Sequence, residues 1–208
     1  MRKSLLIVGL ALLAGPVGAQ QFPPAEQKAA AAAADQFEAV CGADCRKADQ
    51  QCVASGKGAP ACDTRAIACE YQCFINSTLY RSCARSGTTT PMGKNGLAAH
   101  CAAEVADNQA RLRKAGEAPR ALITFAGGDG RSTAAAISVV GTKNILEDIV
   151  AKRRWVQTRL PAGARHTGIE RADSGGKSWD VMVARMPNGQ PAKFYFNKYV
   201  DPARDAGK

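Results

Sequence analysis

The sequence predicts an α+β fold: a disulfide-stapled antiparallel helical hairpin with a third helix, then one helix packed on an antiparallel sheet. Three observations predict it. All eight cysteines lie between Cys41 and Cys101, and six of them are placed with mirror symmetry. The stretch AEQKAAAAAADQFEAV favours helix through its alanines. Beyond the segment AGEAPR, at 115–120, short runs that alternate apolar and polar residues replace the helical periodicity. Separate runs of helices and of strands belong to the α+β class.

The chain opens with MRKSLLIVGLALLAGPVGAQ. Arg2 and Lys3 precede an apolar run from Leu5 to Ala14, Gly15 and Pro16 end it, and Val17-Gly18-Ala19 offers small residues for cleavage. This is the pattern of a secretory signal peptide, with cleavage expected after Ala19. The run is shorter than the roughly 20 apolar residues of a spanning helix, and no later segment could span a bilayer. The expected location is periplasmic or secreted, where disulfides persist. The expected divisions are a signal peptide at 1–19, a stapled helical domain at 20–118 and a basic α+β domain at 119–208.

The first helix is expected from Glu26 to Ala54 and the second from Ala61 to Arg85. Cys41, Cys45 and Cys52 are spaced four and then seven, and Cys62, Cys69 and Cys73 seven and then four. Such steps keep a residue on one helical face. Pairing Cys41 with Cys73, Cys45 with Cys69 and Cys52 with Cys62 gives each pair the same sum of residue numbers. Antiparallel helices that rise about 1.5 Å per residue hold that sum constant along their contact. Ala48 and Ala66 share the sum and fit a seam that must bring Cα atoms to roughly 5.5–6 Å. Gly56, Gly58 and Pro60 suit the turn between the helices. Phe37, Val40, Val53, Ile67, Phe74, Leu79 and Tyr80 make up most of this segment's core, and so small a core requires cross-links.

A third helix is expected from Asn95 to Lys114, with Leu97, Cys101, Val105, Asn108 and Leu112 on one face. Cys83 and Cys101 would tie it on across the GTTTPMGKNG loop. A zinc site is the weaker reading, since its cysteines favour two-residue spacings. A redox-active pair would carry C-x-x-C, which is absent from the sequence. The paired C-x3-C motifs at Cys41/Cys45 and Cys69/Cys73 resemble the twin-C-x3-C proteins of the mitochondrial intermembrane space. The third rung and the long gap between the motifs depart from that pattern, so the likeness reads as convergent stapling and carries no function.

In the second half, Ala121–Phe125 and Ala136–Val140 read as strands around the turn GGDGRST. A helix is expected from Thr142 to Leu160, with Thr142 or Asn144 at its cap. Strands follow at Arg165–Ala172, Ser178–Met186 and Ala192–Val200, joined by DSGGK and PNGQ. Trp179, Val181 and Val183 share one face of the middle strand. The succession GDGRS, A-I-x-V-x-G-x-K-N, I-V-A-K-R-R-W-V, a proline-glycine turn, G-K-S-W-D-V-M-V and K-F-Y-F-N, over Gly128 to Asn197, resembles a domain of small exported bacterial proteins of unknown function. The resemblance implies a fold and an envelope setting, and no activity.

The net charge is +10. Residues 119–208 hold fifteen basic and eight acidic residues, so most of the surplus lies there. Lys152, Arg153, Arg154, Arg159, Arg165 and Arg171 are its densest stretch. They are either a solvated face or the contact for an anionic envelope component. KFYFNKY interleaves aromatic and basic residues as single-strand binders do, but lacks the glycines of an RNA-recognition strand. Nucleic acid is therefore an unlikely partner. GGDGRST lacks the Gly-Lys-Ser/Thr ending of a phosphate loop. His100, beside a staple, and His166, near a strand start and expected to be exposed, have no serine-and-acid arrangement around them in sequence. No catalytic residue, metal or cofactor is expected. The functional expectation is an exported, non-enzymatic binding or structural protein of the bacterial cell envelope. An anionic envelope component or a protein would be its partner. The alternatives are an inhibitor of a secreted or periplasmic hydrolase, or an enzyme of unrecognised type.

Overall fold

The computed structural model describes residues 23–86, 96–115 and 121–200. The expected signal peptide, the loop that leads into the third helix and the AGEAPR linker fall wholly or mostly outside them. The elements in chain order are α1 (Pro24–Ala54), α2 (Ala59–Ser86), α3 (Gly96–Ala115), β1 (Thr124–Gly127), β2 (Ile137–Val140), α4 (Ile145–Gln157), β3 (Arg165–Ser174), β4 (Lys177–Arg185) and β5 (Pro191–Asn197). No helix among the described residues is long and apolar enough to cross a membrane.

Helices α1 and α2 form the antiparallel hairpin. Its rungs are Cys41–Cys73, Cys45–Cys69 and Cys52–Cys62, with Cα separations of 5.7, 5.7 and 5.6 Å. Cys83–Cys101 ties α3 to α2. The alanine rung is lopsided, because Ala66 is buried and Ala48 is exposed. The apolar residues of the hairpin also divide. Ile67 and Tyr80 are buried, but Val40, Val53 and Leu79 are exposed because two helices can cover only one face of each other. At the open end of the hairpin, Leu97, Cys101 and Val105 of α3 close over Ala30, Ala34, Tyr80 and Ala84. Asn108 donates to Asn76 there at 3.4 Å.

The sheet has the order β1-β2-β5-β4-β3. It is mixed, which corrects the all-antiparallel expectation: β2 meets β5 parallel at Ile137↔Phe196. The cause is topological. Helix α4 carries the chain back, so β3 starts in the same direction as β2, and two hairpins later β5 shares that direction too. Gly175 and Gly176, both at positive φ, make the two-residue turn between β3 and β4. In the PNGQ connection only Gly189 has positive φ, and Met186 N–H donates to Gln190 C=O at 2.8 Å.

Helix α4 is the middle layer. Trp155 and Val156 pack on Met182, Ala184, Phe194 and Phe196 of the sheet. Val150 and Ala151 pack with Ile67 of α2 and with Ile123. The face of β4 that meets α4 is thus the Met182/Ala184 face, while Trp179, Val181 and Val183 lie on the other. The alternation was ambiguous because β4 buries residues of both parities. Asn144 caps α4, its Oδ1 accepting from Leu146 N–H and Glu147 N–H at 3.0 and 2.9 Å. Glu147 Oε2 in turn accepts from Lys143 N–H at 2.6 Å.

Candidate anion-binding cleft

A helix buried on two sides must satisfy the charged residues on both. Lys152 is fully buried, with Nζ 2.5 Å from Asp148 and 2.6 Å from Asp180 of β4. Burial pushes the Asp148 carboxyl above its ordinary pKa, with Asp180 adding to the rise and Lys152 pulling it down. On the opposite side, Arg154 enters an acidic socket on the hairpin. Its guanidinium lies 2.7 Å from Asp49 of α1, and 3.2 and 3.3 Å from Asp63 and Glu70 of α2. Burial works against its charge, but the hydrogen bond to Asp49 and the nearby carboxylates raise the Arg154 pKa above its ordinary value. Burial also pushes Glu70 up, against the pull of Arg154, Arg153 and Arg46.

These placements correct the sequence reading for Lys152 and Arg154. Both are internal counter-ions, already paired, and neither can meet an external anion. The other four do not converge either. Arg153 is half-exposed and 3.8 Å from Glu38. Arg165 is exposed at the start of β3, and Arg171 is bonded to Asp173 at 3.1 Å. Arg159 and Arg153 line two different clefts, Arg159 the one at the end of α4 and Arg153 the groove between α1, α2 and α4.

The Arg159 cleft, of about 520 Å³, lies between the end of α4 and the β1–β2 hairpin. Its floor is aromatic. Trp155 stands edge-on to Phe194 and Phe196, at centroid distances of 6.0 and 5.6 Å. Arg159 lies 4.0 Å above the Trp155 ring and donates to the Trp155 C=O at 3.2 Å. Arg131 lies 4.5 Å above the Phe194 ring. Guanidinium groups sit favourably on aromatic faces and present N–H groups at their edges to a planar anion, though Arg159 Nη1 also donates to Thr158 Oγ1 at 3.2 Å. Burial lowers the pKa of Arg159 from its ordinary value, against a weaker pull from Asp63. Neither arginine has an ion pair within 4 Å among the described residues.

Arg131 was not among the sequence candidates, because it lies in GGDGRST, which reads as a turn. The turn proves to be a built arm. Asp129 Oδ1 accepts from Arg131 N–H at 2.9 Å, and Gly130 N–H donates to Ala135 C=O at 2.8 Å. Tyr195 N–H of β5 donates to Gly130 C=O at 2.7 Å, fastening the arm to the sheet. Gly130 has φ +73°, a backbone conformation that favours glycine. The Asp129–Arg131 turn was the legible signal. Asp129 is the one carboxylate among the lining residues.

The second groove, of about 340 Å³, lies between α1, α2 and α4. Acidic and basic residues mix there: Arg81 bonds Asp35 and Glu38 at 2.8 and 2.6 Å, Arg153 lies 3.8 Å from Glu38, and Arg46 also lines the groove. The sulfurs of Cys41, Cys45 and Cys73 lie close enough to share an ion, but each is bonded in a disulfide. His100 Nε2 is 3.2 Å from Glu104. His166 is half-buried rather than exposed, and its Nε2 has no hydrogen-bond partner. Neither histidine lines the arginine cleft. Comparison of the chain with protein-family models, curated proteins and solved structures gives no match.

Proposed function

We propose that the chain is an exported, non-enzymatic binding protein of the cell envelope, and that the cleft between α4 and the β1–β2 hairpin takes an anionic ligand. The observation that carries this reading is the pair of guanidinium groups, Arg131 over Phe194 and Arg159 over Trp155, in one cleft without an ion-pair partner among the described residues. Two like charges on an apolar floor favour a bound anion, which would offset their mutual repulsion. Export is supported by the four disulfides, since such bonds persist outside reducing compartments.

The test is titration of the isotope-labelled protein with inorganic phosphate and with citrate, read on the arginine Nε–H resonances. Arg131 and Arg159 should shift together and saturate, with an affinity that weakens as salt rises. Shifts of equal size at Arg165 and Arg171, without saturation at Arg131 and Arg159, would reject the cleft as an anion site.

A further inference from the structure

The cleft follows a free edge of the sheet. β1 is the outermost strand, and β2 is its single partner among the described residues. Five consecutive residues, Phe125 to Asp129, line the cleft. Successive residues of a strand face opposite sides. The cleft also takes Ile137, Trp155 and Phe194 from the side that packs on α4, so it opens over that face and reaches the outer edge at Phe125 to Gly127, the part of this run that lies in β1. The direction of the backbone groups can be traced. Ile137 of β2 turns its groups to β5, so Ser138 and Val140 turn theirs to β1, where they oppose Ala126 and Thr124. That leaves Phe125 and Gly127 with amides and carbonyls on the outer edge. Ile123, two residues before Phe125, confirms the parity: its N–H points away from β2 and donates to Thr64 of α2 at 2.8 Å. Beyond Ile123 no described group takes up that role for Phe125 or Gly127.

We infer that the cleft takes a short extended peptide, added to β1 as a sixth strand, whose carboxylate is held by Arg131 and Arg159. This rests on the anion-binding reading above and names the class of its ligand. The backbone of the peptide would exchange hydrogen bonds with Phe125 and Gly127, as in strand addition to an open sheet edge. Its carboxylate would lie between the two guanidinium groups, and a small apolar side chain would meet the half-buried ring of Phe125. A free anion would use the arginines and leave the edge unpaired. The edge and the charge pair border the same cleft, and a carboxylate-bearing peptide engages both.

The oxidised protein is titrated with four probes: acetyl-Ala-Ala-Val with a free carboxyl end, its C-terminal amide, acetyl-Ala-Glu-Ala-amide, and isovalerate. Arginine Nε–H shifts report the anion, and hydrogen exchange at Phe125 and Gly127 reports the edge. The free-acid tripeptide should bind about ten-fold or more tighter than its amide. It should slow exchange at Phe125 and Gly127 by about ten-fold. The variant carrying Arg131→Gln and Arg159→Gln, both at exposed positions, should lose the tripeptide while keeping its fold. Slowed exchange with the glutamyl peptide alone supports the proposal and makes a side chain the source of the carboxylate. If isovalerate binds as tightly as the tripeptide and exchange at Phe125 and Gly127 is unchanged, strand addition is overturned and the anion site stands. If no probe shifts either arginine, both fail.

Discussion

Replacing Arg154 with methionine removes the cation from the acidic socket while keeping most of the stem. The side chain is 6% exposed, against 20% for Asp49, 35% for Asp63 and 18% for Glu70. The variant leaves carboxylates under a helix that no longer neutralises them. Breaking a buried ion pair from one side costs about 3–5 kcal/mol. The lower end applies here, because Asp63 is open enough to turn to water. Urea, being uncharged, is the denaturant of choice, with tryptophan emission as the probe. Trp155 and Trp179 both belong to the sheet and its helix. The denaturation midpoint should fall with little change in slope. The loss should also depend on pH. Burial already holds Glu70 above its ordinary value, and without Arg154 it should rise further. A carboxyl with a raised folded pKa opposes folding above that pKa and ceases to do so below its ordinary value. The gap between wild type and variant should therefore be wide at pH 7 and narrow at pH 4. Adding Asp49→Asn and Glu70→Gln should recover much of the loss at pH 7. A loss under about 1 kcal/mol, the size of an exposed ion pair, or an equal loss at both pH values, would refute the socket as a buried charge cluster.

Lys152→Met should destabilise by a similar 3–5 kcal/mol or so, because Asp148 and Asp180 are left facing each other, and Asp148→Asn should partly restore the midpoint. Gly141→Ala should cost about 2 kcal/mol or more in the same urea assay, since φ is +93° and the new Cβ would lie 2.3 Å from Leu122 O. Burial, aided by Arg153 and opposed by a hydrogen bond with the Gly168 backbone, holds His166 below its ordinary pKa. The neutral form is thus favoured in the folded state, and its contribution is present above the ordinary value and lost as pH falls through the folded one. His166→Gln should flatten the stability profile just below pH 6.5; an unchanged slope there would remove His166 from the acid response.

The rungs of the ladder were legible because a helix has a fixed rise and period, so spacing alone encodes which side chains face each other. Element boundaries in the second half were legible from turn chemistry at Gly175-Gly176 and Asn188-Gly189 and from the Asn144 cap. The parallel β2–β5 pair was not, because sheet order depends on which way α4 returns the chain. Nor was the fate of the basic run. Lys152, Arg153 and Arg154 look like one charged face in sequence, but consecutive helical residues point in different directions. The carboxylates that claim Arg154 are 84 to 105 positions away, on two other helices. Arg131 was hidden because a glycine-rich turn shows its flexibility in sequence, not the hydrogen bonds to Ala135 and Tyr195 that make it rigid.

Two of the three carboxylates that hold Arg154 directly follow a half-cystine, Asp63 after Cys62 and Glu70 after Cys69. Their spacing across the hairpin is therefore a readout of correct oxidation. A scrambled isomer would scatter the acidic cup and should be unable to seat α4. Its sulfurs would stay open to further exchange until the native pairing was reached, so docking of the C-terminal half would act as a proofreading step for the bonds that form in the N-terminal half.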